Sequence, residues 1–431
     1  MINLSLEFHK YELGDLCNIS SSKRIFAREY VDEGIPFYRG KEIIELFNNR
    51  DVSTELFITT EKYESIKEKY GVPEKGDILL SSVGTLGVPY LVKDEKFYFK
   101  DGNLTWFKDF NSKLNNKFLY WWLQSIDAKY QINNKCIGST QKALPIKTLE
   151  KFDIDLPPLK TQEQIVDILE NISNKIKANI SINKNLQALS KSLLKYHLED
   201  FKPYLDNGIK NSEIGVIPKD WIVYEFDSIS NIYNGYSYKG NELQQSNSAM
   251  VTIKNFNRDG SFRTDGFKEI IYSDKVKDYH FVNEYDVLIS CTDVTQDADI
   301  IGNCIILLDK KEYDDLIMSM DLVKIESKKK EINNFLLASI LKSYRFKMHI
   351  LGYVNGTTVL HLDKKGIKKF KLALPNDLSI LKDLNDILEN NYKQIAINQK
   401  EINKLQKLRD ELLPKLMSGA IDVSKINCDL E

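Results

Sequence analysis

Two stretches of the chain, 162–197 and 381–416, carry apolar residues at spacings that alternate between three and four positions, and neither stretch contains glycine. An average period of 3.5 residues is typical of helices that pair through a narrow apolar seam. The pattern therefore predicts two long helices, over 158–203 and 376–420. Because each apolar stripe needs an apolar partner, we expect the two helices to pair with each other.

The predicted seam also contains asparagine. A buried seam asparagine costs stability but can fix the register, because a slipped pairing would leave its amide without a partner. Asn179 and Asn398 hold equivalent positions and are predicted to act in this way, with a solvated position on a fraying helix as the alternative. The predicted seam consists of Ile165, Leu169, Ile172, Ile176, Asn179, Leu186 and Leu193 in the first helix and of Leu384, Leu388, Ile395, Asn398, Ile402, Leu405 and Leu412 in the second.

The segments that precede the two helices resemble each other. Gly-Asp-Ile-Leu-Leu-Ser at 76–81 recurs as Tyr-Asp-Val-Leu-Ile-Ser at 285–290, and the strand-like segment 151–157 recurs at 369–375 with the same Leu-Pro ending. The order of the shared features is kept while their offsets drift, as expected for two copies of one fold with different loop lengths. The pattern predicts an internal repeat in which strands and turns are followed by one long helix.

These patterns predict an α+β fold. It would have two mixed α/β domains separated by two long helices that form an antiparallel coiled coil, related by a pseudo-two-fold internal repeat. The segment 204–220 is rich in turn formers and is predicted to be a linker. The predicted boundaries are 1–157 for the first domain, 158–203 for the central helix, 204–220 for the linker, 221–375 for the second domain, 376–420 for the C-terminal helix and 421–431 for a tail.

Composition narrows the class of protein. The 431 residues are 42% hydrophobic and 28% charged, enough to bury a core in about three units. The formal net charge of −2 supplies no overall positive field, so nucleic-acid binding would depend on local patches. Five scattered cysteines without a C-x-x-C pair disfavour a disulfide framework and a zinc site. With no apolar signal core or membrane-length segment, we expect a cytoplasmic protein without membrane contact.

No pattern of catalytic residues stands out. There is no phosphate-binding P-loop and no dinucleotide-binding glycine motif. The segment 155–158 only faintly resembles the Asp-Pro-Pro-aromatic motif of amino-methyltransferases, and the Glu-Ser-Lys triple at 326–328 is expected by chance in so lysine-rich a chain. The five histidines lack metal-ligand spacing, so we predict no metal site and no catalytic residues.

Polar loops marked by glycine are the remaining candidates for function. They hold the residue types that read base edges: Arg or Lys for guanine, Asn or Gln for adenine, and Ser or Thr for either. Corresponding loops of the two halves hold different side chains, as two readers of different sequences would need; ordinary solvated loops, or half-buried tyrosines, are the alternative. The candidate DNA-binding residues are Lys23, Arg24, Tyr38, Arg39, Lys41, Ser82, Thr85, Ser139, Thr140, Gln141 and Lys142 in the first half and Tyr238, Lys254, Asn255, Arg258, Thr292, Thr295, Gln296, Thr357, Thr358 and His361 in the second.

The order of these features resembles the specificity subunit of Type I restriction-modification systems over nearly the whole chain. The resemblance rests on the repeated strand at 76–81, on Leu-Pro-Pro-Leu at 156–159 followed by Gln-Glu-Gln-Ile, on Ile-Gly-Val-Ile-Pro-Lys-Asp-Trp at 214–221 and on Leu-Leu-Pro-Lys-Leu-Met-Ser-Gly at 412–419. Two departures are Tyr285 in place of glycine and the absence of Gln-Glu-Gln at the start of the second helix.

The resemblance implies a non-catalytic DNA reader with two target recognition domains held apart by spacer helices. Each domain would read one half of an asymmetric bipartite site in double-stranded DNA. Methyltransferase subunits that use S-adenosylmethionine would dock on the spacer helices and domains, and restriction subunits that use ATP and magnesium would join the complex. Alternatives are the recognition part of a Type II-like methyltransferase or nuclease, a self-sufficient enzyme of either kind, and a helical assembly adaptor without DNA binding.

Overall fold

The computed structural model describes residues 8–48, 50, 52–138, 142–295 and 297–423. The chain divides into a first unit, made of 1–177 together with 404–431, and a second unit, made of 178–403. The division runs through both long helices, whereas the sequence predicted a boundary at each helix end. Four candidate DNA-binding residues lie outside the described residues: Ser139, Thr140, Gln141 and Gln296.

The first unit combines short strands and helices with the N-terminal part of one long helix and the C-terminal part of another. Its strands are β1 (His9–Glu12), β2 (Asn18–Ser20), β3 (Ile35–Tyr38), β4 (Phe57–Ile58), β5 (Ile78–Ser81), β6 (Pro89–Leu91), β7 (Tyr98–Phe99), β8 (Leu104–Lys108) and β9 (Asp153–Leu156). Its helices are α1 (Gly40–Phe47), α2 (Thr60–Tyr70), α3 (Asn116–Trp122), α4 (Ile126–Lys135), α5 (Ile146–Leu149) and the long α6 (Leu159–Leu194), which continues into the second unit.

The second unit has a similar series of elements. Its strands are β10 (Ile209–Ser212), β11 (Gly215–Pro218), β12 (Trp221–Glu225), β13 (Ser230–Asn234), β14 (Ser248–Val251), β15 (Lys268–Glu269), β16 (Val287–Ser290), β17 (Thr292–Asp293), β18 (Cys304–Ile306), β19 (Asp315–Met318), β20 (Leu322–Ser327), β21 (Val354–Asn355), β22 (Leu360–Leu362) and β23 (Lys371–Pro375). Its helices are α7 (Phe226–Ile229), α8 (Asn334–Leu341), α9 (Tyr344–Leu351), α10 (Lys365–Lys368) and the long α11 (Lys382–Met417), which continues into the first unit.

The sheets of the two units have the same topology. The first unit has an antiparallel sheet in the order β2-β8-β5-β6, a sheet β4-β3-β7 whose β3 and β7 are parallel, and the pair β1-β9. The second unit repeats this as β13-β20-β16-β18, as β15-β14-β19 with β14 and β19 parallel, and as β12-β23. The predicted internal repeat and α+β fold class are confirmed by this match.

The repeated strand motif forms the middle of each four-stranded sheet. All residues of β5 and β16 are buried, and Ile78, Leu79 and Leu80 have no exposed surface. A strand covered on both faces carries a continuous apolar run instead of an alternating one. The Ile-Leu-Leu and Val-Leu-Ile runs fit that position, and the serine that ends each run marks the edge of the sheet.

The long helices α6 and α11 each contain 36 residues, about 54 Å of helix at 1.5 Å per residue. Every predicted seam residue is buried or half-buried. The first helix is shorter than its predicted span, because it passes into a π-helical turn at Lys195–Glu199 and the chain reverses at Phe201, which has a left-handed φ of 53°.

Asparagines of the seam form hydrogen bonds between the two helices inside the second unit. The Asn398 amide donates to Asn183 Oδ1 at 2.8 Å, and Asn179 donates to Glu401 Oε2 at 2.7 Å. Higher numbers on α6 pair with lower numbers on α11, so the helices run antiparallel there. Asn179 and Asn398 do not meet each other, because equivalent positions of an antiparallel pair face each other only at its centre.

The start of each long helix is tied to the preceding domain by one amide side chain. In the first unit Gln162 Oε1 accepts from Asn115 N at 2.9 Å, and its Nε2 donates to Lys113 O at 2.8 Å. In the second unit Asn385 Oδ1 accepts from Asn333 N at 3.1 Å. Asn385, one turn further into its helix, therefore takes the place of the glutamine that the second copy lacks.

The predicted linker 204–220 contains the hairpin β10-β11. The hairpin turn places Gly215 at a φ of 105°, in the left-handed region that glycine adopts readily. The predicted tail also contributes to structure, since Val423 is buried in the core of the first unit.

Cysteine side chains in the described part of the chain are free thiols. Burial raises the pKa of Cys17, Cys291 and Cys304 to about 12, so these thiols stay protonated at neutral pH. Among the described residues, no helix has both the length and the apolar character needed to cross a lipid bilayer.

Candidate nucleic-acid interface

Several candidate loops of the first unit emerge from one edge of its main sheet. Strands β2 and β5 end at Ser20 and Ser81, and their antiparallel neighbours β8 and β6 begin at Leu104 and Pro89. Because neighbouring antiparallel strands reverse direction, these four ends lie at the same edge. We call the loops 21–24, 82–88 and 100–103, together with 142–144, the first loop edge.

Backbone hydrogen bonds join these loops. Ser82 N donates to Asn103 O at 2.8 Å, and Leu144 N donates to Ser82 O at 2.9 Å. Gly84 N donates to Lys142 O at 3.3 Å. The predicted residues Thr85 and Lys142 therefore lie on adjacent loops, although they are far apart in sequence.

Five candidates of the first unit are exposed. Lys23 and Arg24 lie on loop 21–24, where Arg24 Nε is 2.7 Å from Asp101 Oδ2. The others are Lys41, Thr85 and Lys142. These side chains present cationic and hydroxyl groups of the kinds that contact phosphates and base edges.

The structure buries two of the DNA-binding candidates, Tyr38 and Ser82. Tyr38 is 7% exposed and stacks on Phe97 with ring centroids 4.5 Å apart. Ser82 is 4% exposed, and its hydroxyl lies 2.5 Å from Thr105 Oγ1. Residues at a strand end can point into the core as easily as out of it, and these two point inward.

Arg39 forms an ion pair with a buried carboxylate, and its role as a DNA contact stays a prediction. Its Nη2 donates to Glu42 Oε1 at 2.7 Å and its backbone N to Glu42 Oε2 at 2.7 Å, while Glu42 has no exposed surface. The hydrogen bond to Glu42 raises the pKa of Arg39. Arg39 therefore stabilises the start of α1.

The second unit presents the equivalent edge. Strands β13 and β16 end at Asn234 and Ser290, and β20 and β18 begin at Leu322 and Cys304. The parallel strands β14 and β19 end at this edge as well, since Ser319 N donates to Val251 O and β19 runs directly into β20. The second loop edge consists of 235–239, 252–258, 291–303, 319–321 and 356–361.

A small sheet, β17-β22-β21, holds several candidates of the second loop edge together. Thr292 pairs with His361, and His361 also pairs with Asn355 on its other side. Thr357 and Thr358 lie at the tip between β21 and β22. Gly356 makes this tip possible, because a Cβ there would lie 2.2 Å from Val359 O.

The candidates of the second unit differ in accessibility. Lys254, Arg258, Thr357, Thr358 and His361 are exposed, while Tyr238, Thr292 and Thr295 are half-buried. Asn255 is completely buried, and its amide accepts from Thr252 N and donates to Arg263 O, both at 2.9 Å.

Asp293 organises the loop that carries Thr292 and Thr295. One carboxylate oxygen accepts from the backbone N and the hydroxyl of Thr295, both at 2.8 Å, and the other accepts from Ile300 N at 2.6 Å and Ile301 N at 3.1 Å. Burial raises the pKa of Asp293, but these hydrogen bonds together lower it by more than burial raises it. The pKa of Asp293 therefore lies below the usual value. The backbone and the hydroxyl of Thr295 are thus both fixed by Asp293.

Sequence reasoning missed the connections 100–103 and 319–321. Asp101 pairs with Arg24, and Asp321 accepts from the Thr292 hydroxyl at 3.1 Å, so both acids orient candidate side chains. The turn sequence Lys-Asp-Gly-Asn at 100–103, between two strand patterns, was a usable signal.

The fold and the two loop edges define a class of protein: two copies of one α+β domain that differ in the side chains at equivalent edges, with two long helices that pair in the second unit. Within the described residues, no group of acids, histidines or cysteines could hold a metal ion.

The family model for the Type I restriction modification DNA specificity domain matches residues 6–188 and 218–407 of this chain. The two matches correspond to the two copies of the repeat and together cover most of the sequence. The chain belongs to this family.

Individual proteins show the same likeness. A predicted type I restriction enzyme specificity subunit of Haemophilus influenzae is 36% identical over 169 residues, 38% of this chain and 41% of that protein. The type I restriction enzyme MjaVIII specificity subunit of Methanocaldococcus jannaschii is 27% identical over 290 residues, 65% of each protein. Both matches span less than two thirds of the relative.

A solved structure supports the fold over the whole chain. The crystal structure of the Type I restriction-modification system S subunit from M. genitalium matches with a TM-score of 0.60, covering 96% of this chain and 97% of that one at 15% identity.

Proposed function

We propose that this chain is the non-catalytic DNA-reading subunit of a Type I restriction-modification complex. Each unit reads one half of an asymmetric bipartite site through its loop edge. The main support is that equivalent edges of two identical sheet topologies carry different exposed polar side chains, such as Lys142 in one and His361 in the other. Two domains that share one fold but carry different loop side chains are suited to reading two different base sequences.

The two long helices set the distance between the half-sites in this proposal. Their paired seam makes a stiff spacer, because helices that share an apolar seam resist bending more than a flexible linker does. This role is supported by the cross-helix hydrogen bonds of Asn183 and Asn398, which resist a slip in register.

Bond-making chemistry belongs to partner subunits in this proposal. Methyltransferase subunits bring S-adenosylmethionine and dock on the spacer helices and domains, and restriction subunits bring ATP and magnesium. The near-neutral charge of this chain is compatible with partners that supply much of the phosphate-contacting surface.

The decisive experiment changes one loop edge at a time. The full chain is assembled with the methyltransferase subunit of its own system, and methylated adenines are mapped across genomic DNA. Thr85→Ala with Lys142→Ala should relax the base preference of one half-site, at roughly 1–3 kcal/mol per lost base contact, and Thr292→Ala with His361→Ala that of the other.

The control is Lys160→Ala, an exposed lysine at the start of α6 that belongs to neither loop edge. It should leave both half-sites unchanged. If either pair of substitutions altered both half-sites together, the assignment of one unit to one half-site would be wrong. Methylation without any sequence preference by the unaltered complex would overturn the proposed function itself.

A further inference from the structure

The loop that joins a central strand of the main sheet to the neighbouring edge strand differs between the units. It runs over 82–88 in the first unit and over the longer span 291–303 in the second. The longer loop has more conformations to lose when it adopts one shape. Thr292 and Thr295 lie in the first part of this longer loop, so the conformation of the loop determines the positions of these two side chains.

The short loop of the first unit is held by its own strand. Ser81 Oγ accepts from Val88 N at 2.9 Å, and Ser81 O accepts from Gly87 N at 2.8 Å. The equivalent Ser290 O accepts from Gly302 N at 2.8 Å, which fixes only the far end of the long loop. Asp293 fastens the amides near its middle, as described above.

A lysine from a neighbouring helix binds the remaining stretch of the long loop. Lys347 on α9 donates from Nζ to Ala298 O at 3.1 Å, to Ile301 O at 2.6 Å and to Asn303 Oδ1 at 2.8 Å. An ammonium group has three protons, and these bonds use all of them. The side chain therefore has no donor left for a DNA phosphate.

The lysine supports a conformation that the loop would not adopt easily alone. Ala298 has a φ of 55°, in the left-handed region that is costly for a residue with a side chain. Ile301 donates its N–H to Asp293 and accepts from Lys347 through its carbonyl, so one peptide segment is held from both sides. Asp293 and Lys347, which carry opposite charges, thus hold the same peptide segment through its N–H and its carbonyl groups, respectively.

We propose that Lys347 is a positioning residue for sequence recognition by the second unit. From α9 it holds 297–303 in place and, together with Asp293, sets the position of Thr292 and Thr295. This inference rests on the proposed function, in which the second loop edge reads one half-site. It predicts that a residue without any DNA contact controls the base preference of that half-site alone.

The first unit offers a matched control at the equivalent position. Lys129 on α4 is exposed, and its ammonium group makes no hydrogen bond or ion pair with any residue that the structure describes. It has the same charge and lies on the equivalent helix, but the short loop beside it is fastened by Ser81. A general electrostatic effect of removing a lysine should therefore be the same for Lys129→Met and Lys347→Met.

The test uses the full chain assembled with the methyltransferase subunit of its own system. Lys347→Met removes the three hydrogen bonds and keeps the apolar stem, while Lys347→Arg keeps charge and donors. Base preference at every position of both half-sites is measured by mapping methylated adenines in a library of randomised DNA sites. Amide hydrogen exchange of the loop is measured on the same samples.

We expect Lys347→Met to reduce the base preference of the second unit's half-site by about 10-fold, the scale of one lost base contact, with the other half-site unchanged. The amides of Ile300 and Ile301 should exchange faster. Lys347→Arg should retain most of the preference, and Lys129→Met should change neither half-site. A merely structural role would lower stability without changing base preference at one half-site.

Two results would overturn the inference. One is an unchanged base preference in Lys347→Met, and the other is a loss of binding that is equal for specific and random DNA. If Lys347→Met fails to fold, Asn303→Ala removes one of the three acceptors and is judged by the same measurements. A wild-type complex without sequence preference would instead contradict the proposed function.

Discussion

At the scale of single residues, Arg39 and Arg24 form ion pairs that differ in burial. Arg39 neutralises Glu42, whose carboxylate has no exposed surface, whereas Arg24 pairs with Asp101 at the surface with 68% of its own side chain exposed. A carboxylate that is left buried without a partner is costly, while an exposed ion pair contributes little. The two arginines therefore differ in their expected effect on stability.

Replacing Arg39 with alanine should lower the free energy of unfolding by about 2–3 kcal/mol, because the buried Glu42 carboxylate would lose its charged partner and keep only the backbone N–H of residue 39. The exposed pair provides the control, since Arg24→Ala should cost less than about 1 kcal/mol. Urea denaturation measures both values. In the double variant Arg39→Met with Glu42→Leu, at least half of the loss should return; a double variant as unstable as Arg39→Ala would show that the buried charge is not the cause.

Asp293 gives a pH-dependent contribution to stability. Its pKa is lower in the folded protein than the unfolded value of 3.8, so folding favours the ionised form. The stabilisation is therefore complete well above pH 3.8 and is lost as the pH falls through the lower, folded pKa. Asp293→Asn should reduce the free energy of unfolding by about 1–3 kcal/mol at pH 7.

Urea denaturation of wild type and Asp293→Asn between pH 7 and pH 3 tests this linkage. The difference between the two proteins should be constant from pH 7 to pH 5 and shrink below pH 3.8. A difference that grows on acidification would contradict the assigned direction of the pKa.

At the scale of elements, one of the polar contacts between the long helices is a pair of asparagines that depend on each other. Asn183 and Asn398 are both buried and bond to each other at 2.8 Å. Asn398→Leu should destabilise the protein by about 1–3 kcal/mol, because the Asn183 amide would lose its partner. Asn183→Leu with Asn398→Leu should regain that stability, because leucine packs well in a seam.

Asn185→Leu is the control for this pair, since Asn185 lies on the same helix but is exposed. It should change the free energy of unfolding by less than about 0.5 kcal/mol. If the double leucine variant were less stable than the single one, the two asparagines would not act as a pair.

Elements with a strong period were predictable from sequence, and elements defined by contacts were not. The 3.5-residue period gave both long helices and their seam, and the apolar runs at 78–80 and 287–289 gave the two central strands. The hairpin β10-β11 was missed, because its short strands contain turn formers such as Asn211, Gly215 and Pro218 and were interpreted as a linker. Burial of Tyr38, Ser82 and Asn255 was missed as well, because only the tertiary structure decides which way a residue at a strand end or turn points.

At the scale of the whole molecule, the proposed function predicts that helix length sets the gap between half-sites. Deleting 178–184 together with 397–403 removes one heptad from each helix and keeps the seam aligned. Seven residues correspond to about 10.5 Å of helix, or about three base pairs of DNA. The mapped methylation site should keep both half-site sequences and have a gap shorter by about that amount.

Deletion of only one of the two heptads provides the contrast. It shifts the apolar seam of one helix against the other over the rest of its length, and we expect loss of specific methylation rather than a new gap. An unchanged gap in the double deletion would exclude the helices as the spacer.

The loops 82–88 and 291–303 join strands that occupy the same places in the two sheets, β5 to β6 in the first unit and β16 to β18 in the second. An insertion at this point has therefore been absorbed without any change in strand order. A change in this loop therefore leaves the fold of the sheet intact. New sequence preferences can evolve by lengthening or exchanging one surface loop, provided that a neighbouring helix supplies a side chain to hold it.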